Sequence, residues 1–343
     1  ELQGIDIVRL KPPSLPLSTI LYYRRAAAEA EREHVSRGFD VVHGQWLGCL
    51  FTYRENFPDS VLIQTLHGTW MGEREGLRGA ELRLSGDAWV YQYFWPLFAY
   101  AERRACENAC RVIVVSGQNQ AEAIKHYGLD GDRISVIPNG VDVKRFNPKV
   151  DGEMVRRRLG LEEKQVILFV GGLRDRKGIP YLLQAMSQIR RESPDSYLVI
   201  CGEGSQRGNL QRMSRELGIS ECTIFTGEVP YEDLPEYYAA CDLLVLPSNY
   251  EAQGIVLLEA MSSQRAVVAT QVGGIPETVG PDSGILVPPR NPSELARAIL
   301  GLLKDPELRL RMGRAGRRRA SSFDWGRIAS KTIQLYKQCI EDR

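Results

Sequence analysis

No apolar run in this 343-residue chain reaches the ~18 to 20 residues that cross a bilayer, so no transmembrane helix is expected within it, and no signal-peptide pattern is visible. Charge imbalance is missing too. The formal net charge is +1, which argues against nucleic acid as the main partner. The seven cysteines (Cys49, Cys106, Cys110, Cys201, Cys222, Cys241 and Cys339) contain no C-x-x-C pair, so neither a zinc site nor a redox dithiol is indicated. Cys106 and Cys110 stand one helical turn apart in an amphipathic run, as packing residues do. Reduced thiols fit a cytoplasmic protein. No D-x-D pattern stands in a loop suited to hold a metal, and there is no internal repeat or low-complexity tract.

What remains is the composition of a globular protein, 43% hydrophobic and 25% charged, at a length that suits two domains better than one. Short apolar runs alternate with helical patterns. Strands are expected at 41–42, 61–66, 112–115 and 134–137, then at 166–170, 198–201, 223–225, 243–246, 266–269 and 285–287. Helices are expected at 179–190, 209–217, 232–240, 292–303 and 325–340. Continuous apolar strands separated by helices predict parallel sheets covered on both faces. The turn-rich Pro138-Asn139-Gly140-Val141-Asp142 and Phe146-Asn147-Pro148 read as an interdomain connection. The fold class expected is therefore α/β, two Rossmann-like domains facing across a cleft. An N-terminal domain covers 1–147, a second domain 148–322, and a last helix in 323–343 packs back on the first domain.

The richest segment is EAQGIVLLE, Glu251 to Glu259. One carboxylate precedes a helix and the other lies inside it, roughly 12 Å along the axis at ~1.5 Å per residue. Between them lie the free N–H groups of the helix start, which attract anions. A diphosphate flanked by hydroxyl-bearing sugars fits that layout, although an amphipathic helix with two solvated acids has the same sequence.

Further signals stand in one order along the chain. They are His43 in DVVHGQW, His67-Gly68 in TLHG, Ser116 in VIVVS, IPNGVD with Phe146, VGGLRDRKG, CGEG, FTGEV, LPSNYEAQGIVLLEAM, GGIPE, Gly284 with LVPP, and Phe323-Asp324-Trp325. This set resembles the retaining glycosyltransferases of the GT-B fold, the family 4 or group 1 class, over nearly the whole length.

The resemblance implies a glycosyltransferase that moves a sugar from a nucleotide-sugar to a glycan or lipid-linked acceptor with retention, with no cofactor and no required metal. It places Lys177 on the donor diphosphate together with an arginine after the loop's first glycine. Here that position is Gly172, which leaves Arg174 or Arg176 to supply the guanidinium; Arg176, adjacent to Lys177, is favoured. Glu259 would accept from the ribose hydroxyls, and Glu251 would lie at the donor sugar. Gln253, Gly254, Ile255 and Val256 would present backbone N–H groups to the donor, with Gln253 where the family usually has an aromatic. Gly227 and Val229 would meet the base through backbone atoms. His67 would sit beside the transferred sugar and the acceptor. His43 reads as a supporting or packing residue, Ser116 as a helix cap, and Asn139-Gly140 as part of the hinge turn. Taken singly, a surface lysine and a structural histidine are the plain alternatives.

Two other stretches have a bland and a sharp reading. Trp89 to Tyr100 is read as a buried helix kinked at Pro96 rather than a membrane-interface or acceptor surface. Arg309, Arg311, Arg314, Arg317, Arg318 and Arg319 are read as a solvated helix face rather than a lipid-headgroup contact. Peripheral association at the inner face of a membrane stays compatible with both. The chain opens on Glu1 without the Gly-rich strand-turn of the resembled family, so a fragment is expected, with the donor half of the site more complete than the acceptor half. Rival functions are a nucleotide-sugar-binding module without turnover and a GT-B nucleotide-sugar 2-epimerase.

Overall fold

The computed structural model describes residue 10 and residues 18–78 and 88–343. The opening segment up to Arg9 and the side chains of Trp89 to Gln92 lie outside the described residues.

The first half runs α1 (Ser18–Arg37), β1 (Val41–Gln45), β2 (Val61–Leu66), α2 (Trp70–Leu77), α3 (Ala88–Asn108), β3 (Arg111–Val114), α4 (Gly117–Tyr127) and β4 (Ile134–Val136). Its four strands are parallel and stand in sequence order, β1-β2-β3-β4. The second half opens with α5 (Glu153–Leu159), β5 (Gln165–Val170), α6 (Ile179–Glu192), β6 (Ser196–Cys201), α7 (Arg207–Glu216), β7 (Thr223–Gly227) and α8 (Leu234–Ala240). It continues with β8 (Leu243–Leu246), α9 (Ile255–Ser262), β9 (Ala266–Thr270), α10 (Ile275–Val279), β10 (Gly284–Val287), α11 (Pro292–Lys304), α12 (Pro306–Ala320) and α13 (Trp325–Glu341). Every residue of β2, β8 and β9 is buried, as expected of strands with helices on both faces.

Proline and cap residues set many helix starts. Pro180, Pro235, Pro276, Pro292 and Pro306 occupy the first helical positions of α6, α8, α10, α11 and α12, where the missing N–H costs nothing. Ser116, Asn291 and Asp305 accept from backbone N–H groups at the starts of α4, α11 and α12.

The second sheet has the order β10-β9-β8-β5-β6-β7. Direction along the sheet reverses between β5 and β8, so the loops that leave these strands diverge at their C-terminal ends. That is where open α/β sheets bind ligands. The first sheet faces this edge, and α13 returns across it: Ile328, Leu335 and Cys339 pack with Val61, Ile63, Ile113 and Ile137. The connection and the chain's return touch. Val141 donates to the Phe323 carbonyl at 2.8 Å, and a Cβ on Gly140 would stand 2.7 Å from the Trp325 ring.

Two expectations need correction. Helix α3 carries Pro96 but is only half buried. Phe98, Ala101 and Ala105 face the core, while Tyr93 and Tyr100 are exposed. The arginines of α12 are not one solvated face. Arg309 reaches the Leu302 carbonyl and Asp242, Arg317 the Phe146, Ser262 and Val143 carbonyls, and Arg319 the Thr278 carbonyl. Arg311, Arg314 and Arg318 are exposed. Arginine's fork of donors satisfies helix-end carbonyls that have no helical partner.

Candidate functional site

The loop after β5 folds as a glycine pair, Gly171-Gly172, then a short 3-10 turn, Asp175–Lys177, and Gly178 in the left-handed region (φ 62°). A Cβ on Gly178 would stand 2.0 Å from the Pro247 carbonyl oxygen, so only glycine lets this loop cross the one that follows β8. Asn249 N–H donates to the Arg176 carbonyl at 2.7 Å and joins the two loops.

That crossing places Lys177 against Glu251. Lys177 Nζ donates to Glu251 Oε2 at 2.5 Å, and Ser248 Oγ adds a longer bond of 3.4 Å to the same oxygen. Burial alone would push the Glu251 carboxyl up, but the charges of Lys177 and Arg176 with the two hydrogen bonds bring its pKa below the ordinary value. Arg176 Nη1 lies 3.8 Å from Glu251 Oε2, whereas Arg174 is exposed. Gly172 is open: a Cβ there would meet only the Glu203 carbonyl oxygen, at 3.8 Å.

Beyond Glu251 the chain reaches Gly254 (φ 84°), whose lack of a side chain leaves the start of α9 without a side-chain cap. The first N–H groups of α9, at Ile255 and Val256, therefore have no side-chain cap at the helix start. Glu259 is buried within α9, and Tyr238 donates to its Oε2 at 2.6 Å. Burial raises the Glu259 pKa to about 7, with the Tyr238 bond acting the other way. The adjacent glycines of GGIPE have a packing reason: a Cβ on Gly273 would overlap the Glu251 carbonyl, and Gly274 N–H donates to that carbonyl at 3.0 Å.

At the end of β7, Gly227 (φ 80°) accepts from Gly202 N–H at 2.8 Å, with the Glu203–Arg207 ion pair beside it. Glu228 is exposed, and Val229 packs on the core edge.

His67 comes from the first domain. It follows the last residue of β2, and its Nε2 pairs with Gln45 Oε1 at 2.7 Å. Loss of solvent lowers its pKa, while a hydrogen bond with the Asn139 side chain acts to raise it. His43 sits deeper, between Tyr336 Oη of α13 (2.5 Å), Thr65 Oγ1 (2.6 Å) and Gln45. Burial drops its pKa to about 4, so it is neutral and serves packing and orientation.

Several contacts fix the domains to one another. Tyr250, next to Glu251, inserts its phenol into the first domain. It accepts from Thr69 N–H at 3.0 Å and donates to Glu122 Oε2 at 3.0 Å. Gln253 directs its side chain to Asn139: its Oε1 accepts from the Asn139 backbone at 2.7 Å, and its Nε2 donates to the Asn139 carbonyl at 3.0 Å. Ser116 Oγ donates to the Ala252 carbonyl at 2.9 Å, and Glu277 accepts from Gly117 and Gln118 N–H groups at the start of α4. A carboxylate at a helix N-terminus is favourable.

The second domain matches the model of the glycosyl transferases group 1 over residues 152–319, and residues 2–145 match that of glycosyltransferase family 4. A D-inositol 3-phosphate glycosyltransferase of Kineococcus radiotolerans is 31% identical over 92% of this chain and 75% of its own length. The chain belongs to the group 1 glycosyltransferases. An uncharacterized glycosyltransferase of Methanocaldococcus jannaschii is 30% identical over 99% of this chain and 86% of its own. Among solved structures, sucrose-phosphate synthase from Thermosynechococcus elongatus superposes with a TM-score of 0.81 at 29% identity, over 97% of this chain and 81% of that one. Anabaena HepE in complex with UDP and glucose reaches 0.77 at 21% identity, over 95% and 84%, and shares the fold.

Within this glycosyltransferase, Arg176, Lys177 and Glu251 are in direct contact at the switch point; Gly172 opens the same loop, Gly254, Ile255, Val256 and Glu259 follow Glu251 into α9, Gly227 and Val229 lie at the end of β7, and His67 lies at the end of β2 in the first domain. Gln253 stands among them, but its side chain is engaged with Asn139. Glu73 of α2 was not anticipated. Its Oε1 lies 3.9 Å from Arg176 Nε, and burial raises its pKa against the pull of Arg176. A lone acid on an eight-residue helix carries no such signal. Tyr238 and Tyr250 were also missed, although Tyr250 borders the Glu251 motif.

Proposed function

We propose that this chain transfers a sugar from a nucleotide-sugar to a glycan or lipid-linked acceptor with retention of anomeric configuration. The observation that carries the reading is the buried Lys177–Glu251 pair, 2.5 Å apart beside the uncapped start of α9. Lys177, Arg176 and the amides of Ile255 and Val256 form a cationic seat for a diphosphate, and such preorganised donors stabilise the leaving group without a metal. Glu259 takes the ribose hydroxyls, Glu251 lies by the donor sugar, and the backbone of Gly227 and Val229 meets the base. His67 faces the transferred sugar from the other domain. Attack on the same face through an oxocarbenium-like state follows the retaining pattern of the resembled class. The enzyme would work in the cytoplasm, at the inner face of a membrane where the acceptor is a lipid.

Thermal shift with UDP-, GDP- and ADP-sugars, combined with assay of released nucleotide, tests this. Relatives named for D-inositol 3-phosphate make that compound the first acceptor to offer. Stabilisation by one donor and acceptor-dependent nucleotide release is the expected result. Binding without release, even with an acceptor extract, leaves a binding module, and a donor epimerised without acceptor identifies a 2-epimerase. No stabilisation by any nucleotide defeats the donor site itself.

A further inference from the structure

Trp46 directly follows β1, at the end of the strand that faces the cleft, and its backbone is left-handed (φ 59°). A bulky side chain rarely adopts that conformation, and it persists only where the surroundings enforce it. The enforcement is visible. Trp46 N–H donates to the Thr65 carbonyl at 3.0 Å. Its own carbonyl accepts from Gln64 Nε2 at 2.7 Å, while Gln64 Oε1 accepts from Cys49 N–H at 3.0 Å. Gln64 is a fully buried polar residue in the middle of β2, so this turn takes up its amide at both ends. Gly44 and Gly48 pass so closely that a Cβ on Gly48 would stand 2.4 Å from Gly44 Cα, and the Tyr23 hydroxyl is bonded to the Leu47 backbone.

The ring is fixed as firmly. Trp46 stacks on Trp70 (6.2 Å, 21°), and Trp70 stacks on Phe98 (4.8 Å, 15°). Tyr23 meets Trp46 edge-on at 6.3 Å. Even so, Trp46 stays 37% exposed. A residue serving only the core would have been buried, as its neighbour Leu47 is. Next to it in the chain, the exposed Gln45 amide holds His67.

An indole held rigidly at a strand's C-terminal end offers a π-face with negative potential, complementary to positively polarised C–H groups. The adjacent amide and imidazole supply hydrogen-bond partners at its rim. A six-membered saccharide or cyclitol ring has both features, a C–H face and a hydroxyl edge. We propose that Trp46 is the stacking platform of an acceptor subsite for such a ring, with Gln45 and His67 at its polar edge. The proposal rests on the glycosyltransferase reading and names the acceptor as a ring sugar or cyclitol.

Saturation-transfer NMR on the 343-residue chain tests it, with methyl glucoside, mannoside, galactoside and N-acetylglucosaminide in one arm and myo-inositol in the other. UDP thermal shift is run in parallel. In the wild type, protons on one face of a ring compound receive saturation, and the responding arm tells pyranose from cyclitol. Trp46→Tyr keeps the signal, and Trp46→Ala lowers it about tenfold. Trp46→Gly suits the left-handed backbone, so it folds and still loses the signal. UDP stabilisation persists in all three variants. An undiminished signal in Trp46→Ala and Trp46→Gly overturns the platform, as does a wild type that gives none with any ring compound. Loss of the UDP shift in the wild type strikes the donor reading and leaves a Trp46-dependent sugar signal standing.

Discussion

Lys177 Nζ lies 2.5 Å from Glu251 Oε2, and both side chains are buried. The family resemblance assigned these two residues to different parts of the donor, phosphate and sugar. In the structure each is the other's partner, so a diphosphate bound as proposed would share Lys177 with Glu251 rather than find a free ammonium.

That sharing separates stability from binding. Lys177→Ala leaves the buried Glu251 carboxylate with only Arg176 at 3.8 Å and the long Ser248 bond and should cost about 3 kcal/mol, read by denaturant unfolding. The double variant Lys177→Ala/Glu251→Ala should recover part of that loss. Neither variant should regain stabilisation by a nucleotide-sugar. If the double variant binds the donor like wild type, the seat has been misplaced.

The fold was legible because its strands are continuous apolar runs between glycine and proline signals, so all ten expected strands form, most with ends shifted by a residue or two. The loop crossings were legible for a similar reason: Gly178 and Gly273 allow close backbone approaches that few other residues would, and Gly254 takes the left-handed turn before α9. Partners were not legible. The resemblance has Gln253 present its backbone N–H to the donor, and no local pattern reports that its side-chain amide is taken up by Asn139. Arg317 reads as surface charge, yet it ties the interdomain connection to the end of α9. Glu73 reaches the site only because two domains meet, and no local pattern reports that.

Buried carboxyls give the protein a definite pH response. The Glu259 pKa is raised by burial from 4.5 to about 7, and that of Glu102 in the first domain from 4.5 to about 8. Below pH 4.5 both are protonated, folded or unfolded. As pH rises, the unfolded chain loses these protons first, so stability falls across 4.5 to 7 for Glu259 and across 4.5 to 8 for Glu102, then levels. Glu259→Gln and Glu102→Gln should each flatten their own part of the curve, measured by urea unfolding at stepped pH. An unchanged slope in both variants would mean that these carboxyls ionise normally.

Donor affinity should run the opposite way. A ribose hydroxyl pair is held better by ionised Glu259, so nucleotide-sugar binding should tighten from pH 6 to 8, and Glu259→Gln should bind weakly at both. Calorimetric titration at the two pH values reads this directly. A wild type that binds equally well at both would remove the ionised ribose contact.

Glu73 stands in the same field with the opposite sign. Its carboxylate shares Arg176 with Glu251 and repels any anion placed beside them. Glu73→Gln keeps the shape and removes the charge, so UDP should bind several-fold more tightly, by an amount that shrinks at high salt. Weaker binding would instead make Glu73 a residue that aims Arg176 at the phosphate.

Tyr250 offers the sharpest test of how the domains cooperate. Its phenol accepts from Thr69, the cap of α2, two residues after His67, while its backbone adjoins Glu251. One side chain thereby sets the register between the donor carboxylate and the histidine of the opposite domain. Tyr250→Phe keeps the ring but leaves Thr69 N–H and buried Glu122 short of a partner, at a cost of about 1–3 kcal/mol. Amide exchange should speed up in residues 67–77, and turnover should fall more than donor affinity, because the proposed donor contacts lie on the second domain. Equal losses in turnover and donor affinity, with exchange unchanged, would reduce Tyr250 to a packing residue.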